Sequence, residues 1–181
     1  MSSYCRAAPG DPLHGPYHDS EYGFPLDGDA ELLERLALEI NQAGLSWATI
    51  LRKRGAFYRA FDGFDPDIVA RYGVKERRRL LADAGIVRNR LKVDAVIHNA
   101  GVVLGLRDAH GSFRGWLDAH HPREKAEWVK LFRSTFRFTG GEIVNEFLMS
   151  TGWLPGAHAS FCPVAKKIAK VRPPWMRRPQ R

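Results

Sequence analysis

The segment Glu39-Ile-Asn-Gln-Ala-Gly-Leu-Ser-Trp47 sets a carboxylate near the end of one expected helix and an indole at the start of the next. The pair has a specific chemical use. An indole face stacks on a flat, electron-poor ring, while a carboxylate accepts from the ring's exocyclic amine or answers positive charge on it. A nucleobase swung out of its duplex is such a ring. The same residue types also fit a plainer arrangement, an exposed helical Glu beside a core Trp.

A second group is split between the two ends of the chain. Cys5 and His18 stand near one end, and His158 and Cys162 lie four residues apart near the other. Two thiolates and two imidazoles complete a closed tetrahedral zinc shell, which would pin the ends together and leave no open position to activate water. The spacing departs from the usual finger pattern. Two reduced thiols, or a Cys5–Cys162 disulfide, satisfy the same residues. A third signal is Phe136-Arg-Phe-Thr-Gly-Gly141, with adjacent glycines between two helical patterns. Such a turn can approach a phosphate closely and offer backbone N–H groups at the positive end of the next helix. It can equally just reverse the chain.

Helices account for nearly all of the patterning. Leu32, Leu33, Leu36, Ala37 and Ile40 form one apolar arc, with Asp29 as the expected cap and Gly44 as the stop. Glu39 falls at the margin of that arc, so it should face a crevice edge rather than open solvent. Ser46 should cap a helix carrying Trp47, Ile50, Leu51, Phe57, Tyr58 and Phe61, and Asp65-Pro66 should open another. Further helices are expected over 75–84, 88–109, 113–119, 123–135 and 142–150. Period-2 alternation is scarce, which argues against a substantial sheet.

The 181 residues include 28 Lys and Arg against 20 Asp and Glu, a formal charge of +8, as suits a protein that meets a polyanion. No apolar run reaches membrane-spanning length, and the start lacks the apolar core of a secretory signal, so a cytoplasmic protein without membrane partners is expected. Residues 1–165 should form one helical domain of two small lobes. The basic stretch 166–181 reads as a mobile, solvated tail that adds nonspecific affinity for a polyanion. The basic run Lys75 to Arg79, the group Arg88, Asn89, Arg90 and Lys92, and His120-His121 read as surface or corner residues with no catalytic role.

Together, Cys5, Asp11-Pro-Leu13, Tyr17-His-Asp-Ser-Glu-Tyr-Gly23, Glu39, Gln42-Ala-Gly-Leu-Ser-Trp47, Phe64-Asp-Pro66, Asp83-Ala-Gly-Ile86, the 138–152 unit, His158 and Cys162 resemble the 3-methyladenine DNA glycosylase I family, the zinc-containing branch of the helix-hairpin-helix glycosylases. The likeness spans nearly the whole chain. It implies an all-α fold whose ends are joined by one structural zinc on Cys5, His18, His158 and Cys162. It implies Glu39 and Tyr17 as catalytic groups, a base pocket of Trp47, Tyr17, Glu39, Gln42 and Tyr22, and a DNA backbone contact at Thr139, Gly140 and Gly141. The implied activity is hydrolysis of the N-glycosidic bond of 3-methyladenine or a related alkylated purine in double-stranded DNA, by a nucleoid-associated monomer.

Some positions depart from the family pattern. Ala7 and His14 stand where pocket aromatics are common; the loss at Ala7 would widen the pocket for a larger lesion, be filled by another ring such as Tyr22, or leave a weak enzyme. Glu142 puts a carboxylate beside the expected phosphate contact. The stretch Trp153 to His158 lacks the Asp that many superfamily relatives place after the hairpin, and Glu142 occupies the place of the Lys that bifunctional relatives use. A monofunctional glycosylase without lyase activity is therefore expected. A noncatalytic damage sensor or architectural DNA-binding protein on the same scaffold is the alternative, and a helix-turn-helix regulator of undamaged duplex a third.

Overall fold

The computed structural model describes residues 4–177, and among these there is no strand. Eleven helices follow in order: α1 (Tyr4–Ala7), α2 (His14–Ser20), α3 (Asp29–Gln42), α4 (Trp47–Ala60), α5 (Pro66–Val69), α6 (Val74–Ala82), α7 (Arg90–His110), α8 (Phe113–His120), α9 (Lys125–Thr135), α10 (Gly141–Ser150) and α11 (Pro163–Val171). The all-helical architecture agrees with the expectation from patterning.

Local chemistry sets most boundaries. The Ser46 side chain accepts from the Thr49 amide and starts α4, while Asp65 accepts from the Asp67 amide ahead of Pro66 at the start of α5. Gly44, at φ +81°, makes the reversal between α3 and α4. One expected cap is displaced. Gly28 rather than Asp29 occupies the N-cap of α3, and the Asp29 carboxylate instead accepts from the Phe113 amide at 2.8 Å and Arg107 Nε at 3.0 Å. Asp29 thereby fastens α3 to the α7–α8 junction, a tertiary use stronger than a local one.

Helix α3 runs through the middle, packed against α4, α7, α8 and α10. Its Leu32, Leu36 and Ile40 belong to a continuous buried core that extends to Trp153. One side of that core is largely aromatic: the Phe132 ring lies 5.4 Å from Trp116, 5.3 Å from Phe136 and 5.5 Å from Phe147. Two smaller buried groups adjoin it, one around Cys5, Cys162, Val164 and Ile168, the other around Tyr17, Tyr22 and Ala157. They bring the segment around Cys5 to Tyr22 together with the segment from Ala157 to Ile168.

Part of the basic end is helical. Lys166, Lys167 and Lys170 lie in α11, which buries Val164 and Ile168 four residues apart on one face. The lysines occupy the solvent side of that short amphipathic helix, and Pro174 is buried beyond it. Residues 178–181 lie outside the described residues.

Candidate functional site

A cavity of about 210 Å³ opens beside α3 and is lined by Tyr4, Tyr17, Tyr22, Glu39, Gln42, Trp47, Glu146 and Ala157. The elements that supply it are remote in sequence. Tyr4 comes from α1, Tyr17 from α2, Glu39 and Gln42 from the last turns of α3, Trp47 from the first turn of α4, and Glu146 from α10. All five residues expected around a base, Glu39, Trp47, Tyr17, Gln42 and Tyr22, face this one space.

Glu39 is 4% exposed, and its side chain makes no hydrogen bond among the described residues. Burial pushes its carboxyl up to about 8, opposed by Arg35 and assisted by the nearby Glu146 carboxylate. Arg35, one helical turn before Glu39 and 2% exposed, lies beneath Tyr17. Its guanidinium carbon is 4.9 Å from the Tyr17 ring centre, and its Nη1 donates to the Tyr17 hydroxyl at 3.1 Å. The phenolic proton of Tyr17 remains free to be donated into the cavity. Burial raises the Tyr17 pKa well above its ordinary value, so the group is a hydroxyl donor and not a phenolate base. Glu21 accepts from both Arg35 and Arg54, holding this layer together.

The rings form adjoining walls rather than a sandwich. Trp47 and Tyr17 have centroids 5.0 Å apart and planes tilted by 54°, too close to admit a third ring between them. The indole Nε1 of Trp47 is buried and has no hydrogen-bond partner. Tyr22 stands 5.7 Å from Tyr17, and its hydroxyl donates to Glu146 Oε2 at 3.2 Å.

Tyr4, Glu146 and Ala157 were not singled out in the sequence. Tyr4 compensates for the departures noted there: Ala7 is exposed and away from the cavity, while His14 packs edge-on against Tyr4 at 5.6 Å with its Nδ1 3.3 Å from the Tyr4 hydroxyl. The aromatic wall is thus supplied by Tyr4, with His14 behind it. The signal for Glu146 was its charge inside the otherwise apolar pattern of Ile143, Val144, Phe147 and Leu148.

Behind the cavity, the donor atoms of Cys5, His18, His158 and Cys162 all lie within 4.8 Å of one another. Cys162 Sγ is 3.5 Å from His158 Nδ1 and 3.7 Å from His18 Nε2, and Cys5 Sγ is 3.7 Å from His158 Nδ1. Both cysteines are free thiols. Each imidazole turns one nitrogen to the cluster and fixes it through the other. His18 Nδ1 donates to the Asp19 carboxylate at 2.7 Å, and His158 Nε2 donates to the Tyr22 carbonyl at 2.8 Å. These four residues could hold a metal ion.

The expected backbone contact lies at the α9–α10 turn. Phe138, and not a glycine, takes the left-handed conformation there (φ +60°). Gly140, at φ −75°, caps α10, and Gly141 begins it. A Cβ added at either glycine would meet nothing within 4 Å. Glu142 points outward, its carboxylate 3.7 Å from Lys125 Nζ. Thr139 is buried, and its hydroxyl donates to the Phe132 and Phe136 carbonyls, so its side chain serves the turn from inside.

Residues 7–130 match the family described as methyladenine glycosylase. The chain belongs to that family. It is 44% identical over 151 residues to the DNA-3-methyladenine glycosylase 1 of Escherichia coli strain K12, covering 82% of this chain and 81% of the relative. It is 32% identical over 182 residues to the DNA-3-methyladenine glycosylase of Haemophilus influenzae, covering 90% and 98%. Among solved structures, the 3-methyladenine DNA glycosylase I from Staphylococcus aureus, described for the structural basis of 3-methyladenine recognition, superposes with a TM-score of 0.80 at 31% identity, over 90% of this chain and 96% of that one. Membership in the methyladenine glycosylase family agrees with the resemblance read from the sequence.

Proposed function

We propose that the protein is a DNA glycosylase that hydrolyses the N-glycosidic bond of 3-methyladenine, or of a closely related alkylated purine, in double-stranded DNA. The observation that carries this reading is that Glu39 and Trp47 open onto one cavity, with Tyr17 lining it beside Trp47. Trp47 offers an indole face for the extruded base, Glu39 an unpartnered buried acceptor for its amino group, and Tyr17 a hydroxyl proton for a ring edge. Methylation at N3 makes adenine cationic and a good leaving group, so binding and orientation supply much of the selectivity. As positive charge leaves the base on bond cleavage it develops on the sugar, and the pocket's task is to hold the departing purine while water attacks. Chromatography of bases released from methylated DNA tests the reading. Release of free 3-methyladenine is expected; retention of damaged duplex with no free base would replace the enzyme by a noncatalytic sensor.

The finer features belong to the same proposal. The α9–α10 unit acts as the helix-hairpin-helix element, its open Gly140–Gly141 face and the α10 N-terminus lying against a phosphate. No lysine lines the cavity, and Glu142 follows the glycines, so the enzyme is monofunctional and leaves the abasic strand intact. One zinc ion is held by Cys5, His18, His158 and Cys162. Tetrahedral bonds of about 2.3 Å to sulfur and about 2.0 Å to nitrogen put adjacent donors about 3.5 Å apart, in line with the separations in the cluster. With four protein ligands the ion supplies a cross-link between the chain ends and no catalytic water. Metal analysis after dialysis should find one zinc per chain. The protein works as a cytoplasmic, nucleoid-associated monomer.

A further inference from the structure

Glu39 is not the only carboxylate of the cavity. Glu146 reaches the same space from α10 and also lines the groove that continues from it past Ala43 and Leu45. Its position is fixed rather than incidental. Tyr22 donates to Oε2 at 3.2 Å, and Asn145 Nδ2 approaches Oε1 at 3.4 Å. Neither contact brings a positive charge to it. Among the described residues the only buried guanidinium nearby, that of Arg35, is engaged with Tyr17, Glu21 and the Ser150 carbonyl. The pocket therefore holds two acidic groups, one of them buried without a partner, within an aromatic enclosure where charge interactions are weakly screened.

A negative charge on Glu39 is disfavoured there, because burial and then the nearby Glu146 carboxylate push its carboxyl up to about 8. A neutral ring would leave that cost in place. A ring carrying delocalised positive charge removes it, because aromatic faces and carboxylates both attract a cation. We propose that Glu146 is a second substrate-binding carboxylate, which with Glu39 makes the pocket select cationic N-alkylated purines over neutral bases of the same shape. The proposal rests on the base-pocket reading given above. It differs in placing discrimination on charge as well as on the amino-group contact of Glu39.

The test compares two duplex probes at pH 7.5. One carries 3-methyladenine, and the other carries its neutral isostere in which carbon replaces the ring nitrogen at position 3. Glu146→Gln keeps the volume and the acceptor for Tyr22 but removes the charge. Its single-turnover release of 3-methyladenine should fall at least tenfold, while its affinity for the neutral-isostere duplex stays within twofold of the parent, a readout that also monitors folding. Glu146→Asp should recover part of the lost rate. Unchanged release by Glu146→Gln, or an equal loss on both probes, would overturn the charge-selection role while leaving the glycosylase intact. A parent protein that releases no methylated base from the first probe would instead overturn the pocket reading, and this proposal with it.

Discussion

At the residue scale the pocket depends on how two titrating and stacking groups are paid for by their surroundings. In the proposed role Glu39 acts ionised to oppose the charge of the base, so the acid limb of kcat/KM for excision should lie near pH 8 and vanish in Glu39→Gln. The stability effect has the opposite sense. Because the folded carboxyl titrates above its unfolded value, the fold is favoured at low pH and loses stability as pH rises through about 8. Arg35 opposes and Glu146 reinforces this shift. Thermal melts should therefore show a larger gain in Tm for Glu39→Gln at pH 9 than at pH 6. Trp47→Ala removes the indole wall, and binding to lesion duplex should weaken by roughly 1–3 kcal/mol in a titration, with little change on undamaged duplex. Glu39 and Trp47 were legible in the sequence because one turn separates them. Tyr4 and Glu146 were not, because their meeting across the cavity is created only by tertiary folding.

At the element scale the α3–α4 reversal is held from behind by a buried cation. Lys92 of α7 donates through Nζ to the Asn41 carbonyl at 2.9 Å and the Ala43 carbonyl at 2.6 Å, satisfying the end of α3 and favouring its negative pole. The same turn presents Glu39 and Gln42 on one side and Trp47 on the other. Lys92→Met should destabilise the protein by about 1–3 kcal/mol in denaturant titrations, since those carbonyls lose their donor. The Asn99 side chain acts similarly on the hairpin, receiving the Arg137 amide and donating to its carbonyl. Helix existence and most boundaries were readable from apolar period and caps such as Ser46 and Asp65. Lys92 read as a surface residue, since a basic side chain gives no sign in sequence that it will be drawn inward to a helix end. Asp29 misled for a related reason: its ion pair with Arg107 and its bond to the Phe113 amide are long-range. The helix α11 was hidden because Val164 and Ile168 are a short apolar stripe among lysines.

At the scale of the whole molecule, the net charge of +8 and the family's DNA substrate call for a strong electrostatic component in binding. Affinity for undamaged duplex should fall steeply as salt rises from 50 to 200 mM, on the order of 10³-fold if six phosphates are engaged, as measured by fluorescence anisotropy. Cys162→Ser should lower Tm and, if the proposed zinc is held there, abolish its retention through dialysis, because it breaks the four-residue cluster that ties α1 and α2 to the segment before α11. The two halves of that cluster were visible in sequence, but only folding decides which nitrogen of each histidine faces the thiols. The bond from His158 to the Tyr22 carbonyl, and Ala157 on the cavity wall, also fix an order of assembly. During synthesis the segment through Tyr22 carries three of the cavity's tyrosines, yet Ala157 and His158, which brace them, emerge more than 130 positions later. A nascent chain can wind α3 and α4 early, but the cavity wall is incomplete until the segment carrying Ala157 and His158 has been translated.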